Sequence, residues 1–160
     1  MGTAESKEGG ARVRIPPPLV FVASIGAGVG LRYAVAPPLL PLGRTVQLIV
    51  GGVIAVAAIA LGGSAFGLFK KSGQDPKPWT PAPELLLAGP YRFTRNPMYV
   101  SMAMLQIAIG TMLGNLWVVL GAALSLLVVH YSAVLPEEAY LDEKFGELYR
   151  QLKKKVRRYL

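Results

Sequence analysis

From Thr45 to Phe69 the chain reads TVQLIVGGVIAVAAIALGGSAFGLF, without one charged side chain. At 1.5 Å of rise per residue, about 20 helical residues cross the ~30 Å hydrocarbon core of a bilayer, so this run spans with length to spare. Backbone polar groups in lipid must be satisfied within the chain, and for a single apolar segment that means helix. The composition agrees. Charged residues make up 16% of the chain and hydrophobic ones 52%, where a soluble domain carries charge on about a quarter of its residues.

Three further apolar runs accompany it. The first, Pro18 to Ala36, is interrupted by Arg32 near its end, a position from which arginine snorkels to the interface. It is longer than a signal-peptide core and Pro37 follows "AVA", so the expectation is a retained helix. The third, Pro97 to Leu113, and the fourth, Leu116 to Leu135, are joined by Gly114 and Asn115, which leaves room only for an antiparallel hairpin. After Pro136 the pattern changes. Leu141, Phe145, Leu148, Tyr149, Leu152 and Val156 recur at helical spacing, and basic residues gather from Arg150 to Arg158. This predicts an amphipathic helix at the membrane surface. The expected fold is all-α and polytopic, with about four transmembrane helices plus this C-terminal amphipathic helix. By organisation, residues 1–14 form a disordered tail and 15–69 two N-terminal spans. Residues 70–160 form a long polar, Pro-rich loop, the hairpin and the C-terminal helix.

The net charge of +8 is carried by residues flanking the apolar runs, which points to anionic lipid headgroups and away from nucleic acid. Lysine and arginine concentrate in the N-terminus, the middle loop and the tail, and are sparse in the two short turns. With four spans, those three segments share one side, and the positive-inside rule makes it the cytoplasm. The expected location is a membrane, the inner one in a bacterium. With no cysteine and one histidine, thiolate zinc sites and a Cys nucleophile are excluded, and no metal is expected.

The candidate chemistry lies on the cytoplasmic side. "GPYRFTRNPMY", Gly89 to Tyr99, crowds three aromatic rings, two arginines and two prolines before the third run. Arg92 and Arg95 read as membrane anchors, the rings as an interfacial belt, and Asn96-Pro97 as a helix cap followed by N1 proline. All of them within one short stretch also reads as half of a binding site. Glu137 and Glu138 either decorate the first turn of the tail helix or accept hydrogen bonds from the hydroxyls or ammonium of a ligand. His130 is either a proton acceptor or a hydrogen-bonded interface residue. Gln106 is either interhelical glue or a ligand contact. "GAGVG" (Gly26 to Gly30) lacks the strand and acidic residue of a dinucleotide loop and reads as close helix packing.

"GPYRFTRNPMYVSM", the hairpin, and "PEEAYLDEKFGELYRQLKKKVRRYL" together resemble the isoprenylcysteine carboxyl methyltransferase and phospholipid methyltransferase superfamily, from Trp79 to the C-terminus. The resemblance is closest to small bacterial isoprenylcysteine methyltransferase-like members. It rests on G-P-Y, R-N-P-M-Y, E-E and F-G-x-x-Y at matching spacing. It implies an integral membrane enzyme that transfers a methyl group from S-adenosylmethionine (AdoMet) to a lipophilic or lipid-linked acceptor. By position it implies cofactor contacts from Pro83, Glu84, Leu85, Leu86, Tyr91, Asn96, Pro97, Met98, Tyr99, Glu137 and Glu138. Where an amine acceptor must lose a proton, Glu138 and His130 are the catalytic candidates. Two positions depart from the eukaryotic carboxyl methyltransferases. Asn96 stands in place of a histidine, and Ala133 in place of an arginine that addresses the substrate carboxylate. Two other readings remain: a steroid-reductase-like NADPH enzyme with a similar hairpin, and a non-catalytic membrane scaffold.

Overall fold

The computed structural model describes residues 10–13, 15–35 and 40–159. Six helices account for most of them: α1 (Pro17–Ala34), α2 (Arg44–Ser72), α3 (Pro97–Met112), α4 (Leu116–Val129), α5 (Leu135–Phe145) and α6 (Glu147–Lys155). A single 3-10 turn, Gly89–Arg92, precedes α3, and no β-strand occurs among the described residues. The disorder expected over 1–14 falls largely outside the described residues. Gly10 and Ala11, which are described, donate backbone hydrogen bonds to the carbonyls of Trp79 and Pro78, and Ala11 is buried.

Among the described residues three helices are long and apolar enough to cross a membrane: Pro17–Ala34, Arg44–Ser72 and Leu116–Phe145. The outward faces of α2 and α4 are strongly apolar and exposed, with Val53, Val56, Ile59, Leu120 and Leu124 uncovered by protein, as lipid contact requires. The fourth expected span, α3, has 16 residues, about 24 Å of helix and short of the ~30 Å core. Its C-terminal carbonyls meet two arginines. Arg32 donates to the Leu113 carbonyl at 3.0 Å and Arg44 to that of Met112. Those carbonyls have no intrahelical donor, and cationic groups suit a helix C-terminus. Arg32 thus does more than snorkel.

Small residues let the helices approach. A Cβ at Gly28 would sit 2.9 Å from the Val118 backbone nitrogen on α4, and one at Gly62 2.6 Å from Ser101 Oγ on α3. Both contacts suit the close approach that glycines allow between membrane helices. Gln106, fully buried in α3, ties three helices together. Its Nε2 donates to Ser24 Oγ of α1 at 2.9 Å and to the Val118 carbonyl of α4 at 3.1 Å, while its Oε1 accepts from Ser125 Oγ at 3.0 Å. These bonds use both amide hydrogens and leave Gln106 as interhelical glue. At the hairpin, Gly114 takes a positive φ of 60°, and Asn115 Oδ1 accepts from the Trp117 amide to cap α4.

The tail departs from expectation twice. No separate helix starts at Pro136, because Leu116–Phe145 is continuous, with a π-helical stretch at His130–Val134. The amide of Leu135 reaches back to the His130 carbonyl, five residues earlier. Pro136 has no amide to give, and a π turn accommodates the break it imposes on the hydrogen-bond ladder. Further on, Gly146 at φ 53° divides the expected single amphipathic helix into α5 and α6.

Candidate functional site

One end of the bundle holds a cavity of about 380 Å³, within the size range of small-molecule sites. The start of α1 (Pro17, Pro18), the end of α2 (Phe66, Phe69) and the first two turns of α3 (Met98, Tyr99, Met102) form its apolar walls. The loop from Gln74 to Leu86 covers it, and α5 closes the far side with Glu137 and Glu138. An edge-to-face contact between Phe69 and Tyr91, with centroids 6.0 Å apart and planes at 74°, lies on one flank.

The cavity gathers Glu84, Leu85, Leu86, Tyr91, Asn96, Pro97, Met98, Tyr99, Glu137 and Glu138 on its lining. Pro83 and His130 do not line it. The His130 ring pairs through Nδ1 with the Tyr159 hydroxyl at 2.8 Å and stacks edge-on to Tyr131. Asn96 precedes α3 but does not cap it. Its Nδ2 donates instead to the Arg158 carbonyl at 2.9 Å, and Pro97 opens the helix without a side-chain cap.

The two adjacent glutamates have different surroundings. Glu137 accepts a hydrogen bond from the Tyr99 hydroxyl across the gap between α5 and α3. Glu138 is held by two arginines. Arg158 clasps it bidentately, Nε and Nη2 each 2.8 Å from a carboxylate oxygen, and Arg95 Nη1 lies 3.0 Å away. Such a fork is among the stronger carboxylate contacts available. Arg95 is therefore no membrane anchor: its side chain is 10% exposed and also donates to the Tyr149 hydroxyl at 3.2 Å.

Trp79, Gln74, Phe66 and Phe69 also lie on the cavity, as do Arg95 of the R-N-P-M-Y motif and Tyr149 of F-G-x-x-Y, none of which the resemblance implies as a cofactor contact. Trp79 and Gln74 belong to the long loop, whose length is itself a signal of function. Arg95 stands inside the R-N-P-M-Y motif, but nothing in the sequence marks its pairing with Glu138, more than forty residues away along the chain.

Two buried polar atoms on the lining have no partner among the described residues: Gln74 Oε1, an acceptor, and Arg95 Nε, a donor. Buried polar groups are rarely left unsatisfied, and one explanation of such a pair is a ligand. Burial pushes the Tyr91 phenol well above its ordinary range, and the nearby Glu137 charge pushes it further. It is therefore a neutral donor at any ordinary pH. Among the described residues no group of three or more His, Asp or Glu side chains is placed to hold a metal ion.

An α-helical bundle with three helices able to span a bilayer and exposed apolar faces is that of an integral membrane protein, with a polar-tipped cavity at one end. Comparison with known families makes this more specific. Residues 45–148 match the family described as phospholipid methyltransferase, well over half of the chain, and the protein belongs to that family of membrane methyltransferases. It is also similar to an uncharacterized protein of Haemophilus influenzae, 41% identical over 63 residues, which are 39% of this chain and the whole of that one.

Proposed function

We propose that the protein is an AdoMet-dependent methyltransferase acting on a lipophilic or lipid-linked acceptor, with the cavity as its site. The observation that carries this reading is the end wall of the cavity, where Glu137, hydrogen-bonded to Tyr99, faces aromatic and apolar walls on which Gln74 Oε1 and Arg95 Nε lack partners. These residues suit an amphipathic cationic cofactor. Glu137 and Glu84 accept from hydroxyls or an ammonium, Gln74 Oε1 accepts from a further donor, and Arg95 Nε donates to an acceptor group. The faces of Tyr91, Tyr99 and Trp79 favour a positive charge. When bound, AdoMet supplies an electrophilic methyl on a sulfonium. The protein's own contribution is alignment and exclusion of water, and alignment alone supplies a large part of such a barrier reduction.

In this reading the acceptor arrives from the bilayer. Among the described residues α1 and α2 both pack on the hairpin but hardly touch each other, and their ends, Pro17 and Phe66, flank the cavity. A lipophilic chain enters through that gap while the cofactor comes from the cytoplasmic side. The cations on the lining, Lys77 and Arg95, are already paired, with Asp75 at 3.2 Å and with Glu138. The position that carries arginine in carboxyl-methylating relatives is a fully buried Ala133. Both features favour a neutral or amine acceptor over a carboxylate.

Calorimetric titration of AdoMet into the detergent-solubilised protein tests the proposal. The wild type binds, and Glu137→Ala loses about tenfold or more in affinity, the scale of a lost hydrogen bond to a charged group. No binding by the wild type at millimolar AdoMet overturns it and favours a non-catalytic membrane scaffold.

A further inference from the structure

The last described segment of the chain, Val156 to Tyr159, packs against the cavity end of the bundle. It lies beyond the residues that match the family, which end at 148. It leaves α6 in extended conformation and runs beside Thr94–Asn96 as a parallel bridge. The Arg95 amide donates to the Arg157 carbonyl at 2.9 Å, while Thr94 Oγ1 and Asn96 Nδ2 both donate to the Arg158 carbonyl, at 3.1 and 2.9 Å. Beyond it the Tyr159 hydroxyl meets His130 on the π turn. Between these anchors the Arg158 guanidinium takes both oxygens of Glu138.

Two carboxylates in adjacent positions at one cavity repel each other and compete for the same donors. Here Arg158 and Arg95 saturate Glu138, and among the described residues Glu137 keeps a single partner, Tyr99. The strap also claims the Asn96 side chain and so fixes the turn that carries Arg95 and opens α3.

We propose that the C-terminal strap is a working part of the cavity wall and that Arg158 is a positioning residue, which commits Glu138 to structure and leaves Glu137 as the carboxylate offered to the ligand. The ligand itself is that of the proposed function, on which this inference rests. Lysine at 158 keeps the charge but not the fork, so it restores the arrangement in part, whereas glutamine loses both.

Two measurements on the full chain in detergent test this, with Arg158→Gln and Arg158→Lys beside the wild type. The first is amide hydrogen exchange, which needs no ligand. Arg158→Gln speeds exchange at Thr94–Met98 by about tenfold, Arg158→Lys by less, and peptides from the α4 core around Val118 stay at the wild-type rate. The second is AdoMet affinity, read below the unfolding transition. It falls by about tenfold in Arg158→Gln, with Arg158→Lys intermediate. Unchanged exchange at Thr94–Met98, or exchange raised throughout the bundle, overturns the strap. Local loosening with unchanged AdoMet affinity overturns its place in the cavity. Absence of binding by the wild type removes the proposed function, and the exchange result still decides the strap.

Discussion

The hydroxyl of Tyr99 donates a hydrogen bond to the carboxylate of Glu137, tying the first turn of α3 to the helix that returns from the hairpin. Both residues line the cavity. The contact therefore links the two halves of the site across 38 positions of sequence.

Tyr99→Phe removes the hydroxyl and keeps the ring. A hydrogen bond to a charged group is worth about 1.5–3 kcal/mol, and Glu137 is left without its partner. AdoMet affinity is expected to fall by about tenfold, with the aromatic wall intact. Calorimetry on Tyr99→Phe measures it; affinity equal to wild type would show that Glu137 needs no help from α3.

The Gln106 network makes a prediction about stability. Gln106→Leu takes the acceptor from Ser125 Oγ and the donor from Ser24 Oγ, which still donates to the Gly121 carbonyl at 3.2 Å, and is expected to cost about 1–3 kcal/mol in detergent unfolding. Adding Ser24→Ala and Ser125→Ala to that variant restores part of the loss, because no buried hydroxyl then lacks a partner. A triple variant less stable than Gln106→Leu would contradict this.

Tyr91 gives a pH dependence. Burial first, and then Glu137, holds its phenol un-ionised in the folded chain beyond the ordinary range, while in the unfolded chain it ionises near pH 10. A pKa raised by folding adds stability that is fully present below the unfolded value and is lost as pH rises above it. Above pH ~10 this one group removes about 1.4 kcal/mol per pH unit until its folded pKa is reached. Tyr91→Phe should therefore flatten the alkaline loss of stability in an unfolding series from pH 9 to 11. Parallel slopes for the two proteins would refute the assignment.

The helices were legible because lipid leaves few alternatives. Charge-free runs, Gly114-Asn115 and the basic flanks mark nearly every boundary. Within the site, the motif residues from Glu84 to Tyr99 and the glutamate pair converge on one cavity. What sequence could not supply was phase and partnership. The π turn at His130–Val134 adds a residue to a helical turn and so rotates everything after it by about 100°. No periodicity announces that, yet it sets which way Glu137 and Glu138 face. Arg95 and Arg158 look like two more interfacial cations until the fold brings both to Glu138. Asn96 has the composition of a cap, and its side chain is taken by the strap. Gln106 was undecidable in sequence because glue and ligand contact demand the same residue. Only the count of satisfied hydrogens separates them.

The bond between Gln106 and Ser24 has a consequence at a distance. α1 and α3 run in the same direction from the cavity end, and Ser24 lies as many residues after Pro17 as Gln106 lies after Tyr99. At 1.5 Å per residue both arms measure about 10 Å. The buried amide thus works as a depth gauge. Greasy helices in lipid slide past one another easily, but this pair is pinned at one rung, which holds Pro17 level with Tyr99. A methylene too many anywhere in that rung would be read out a full two turns away, at the mouth of the cavity.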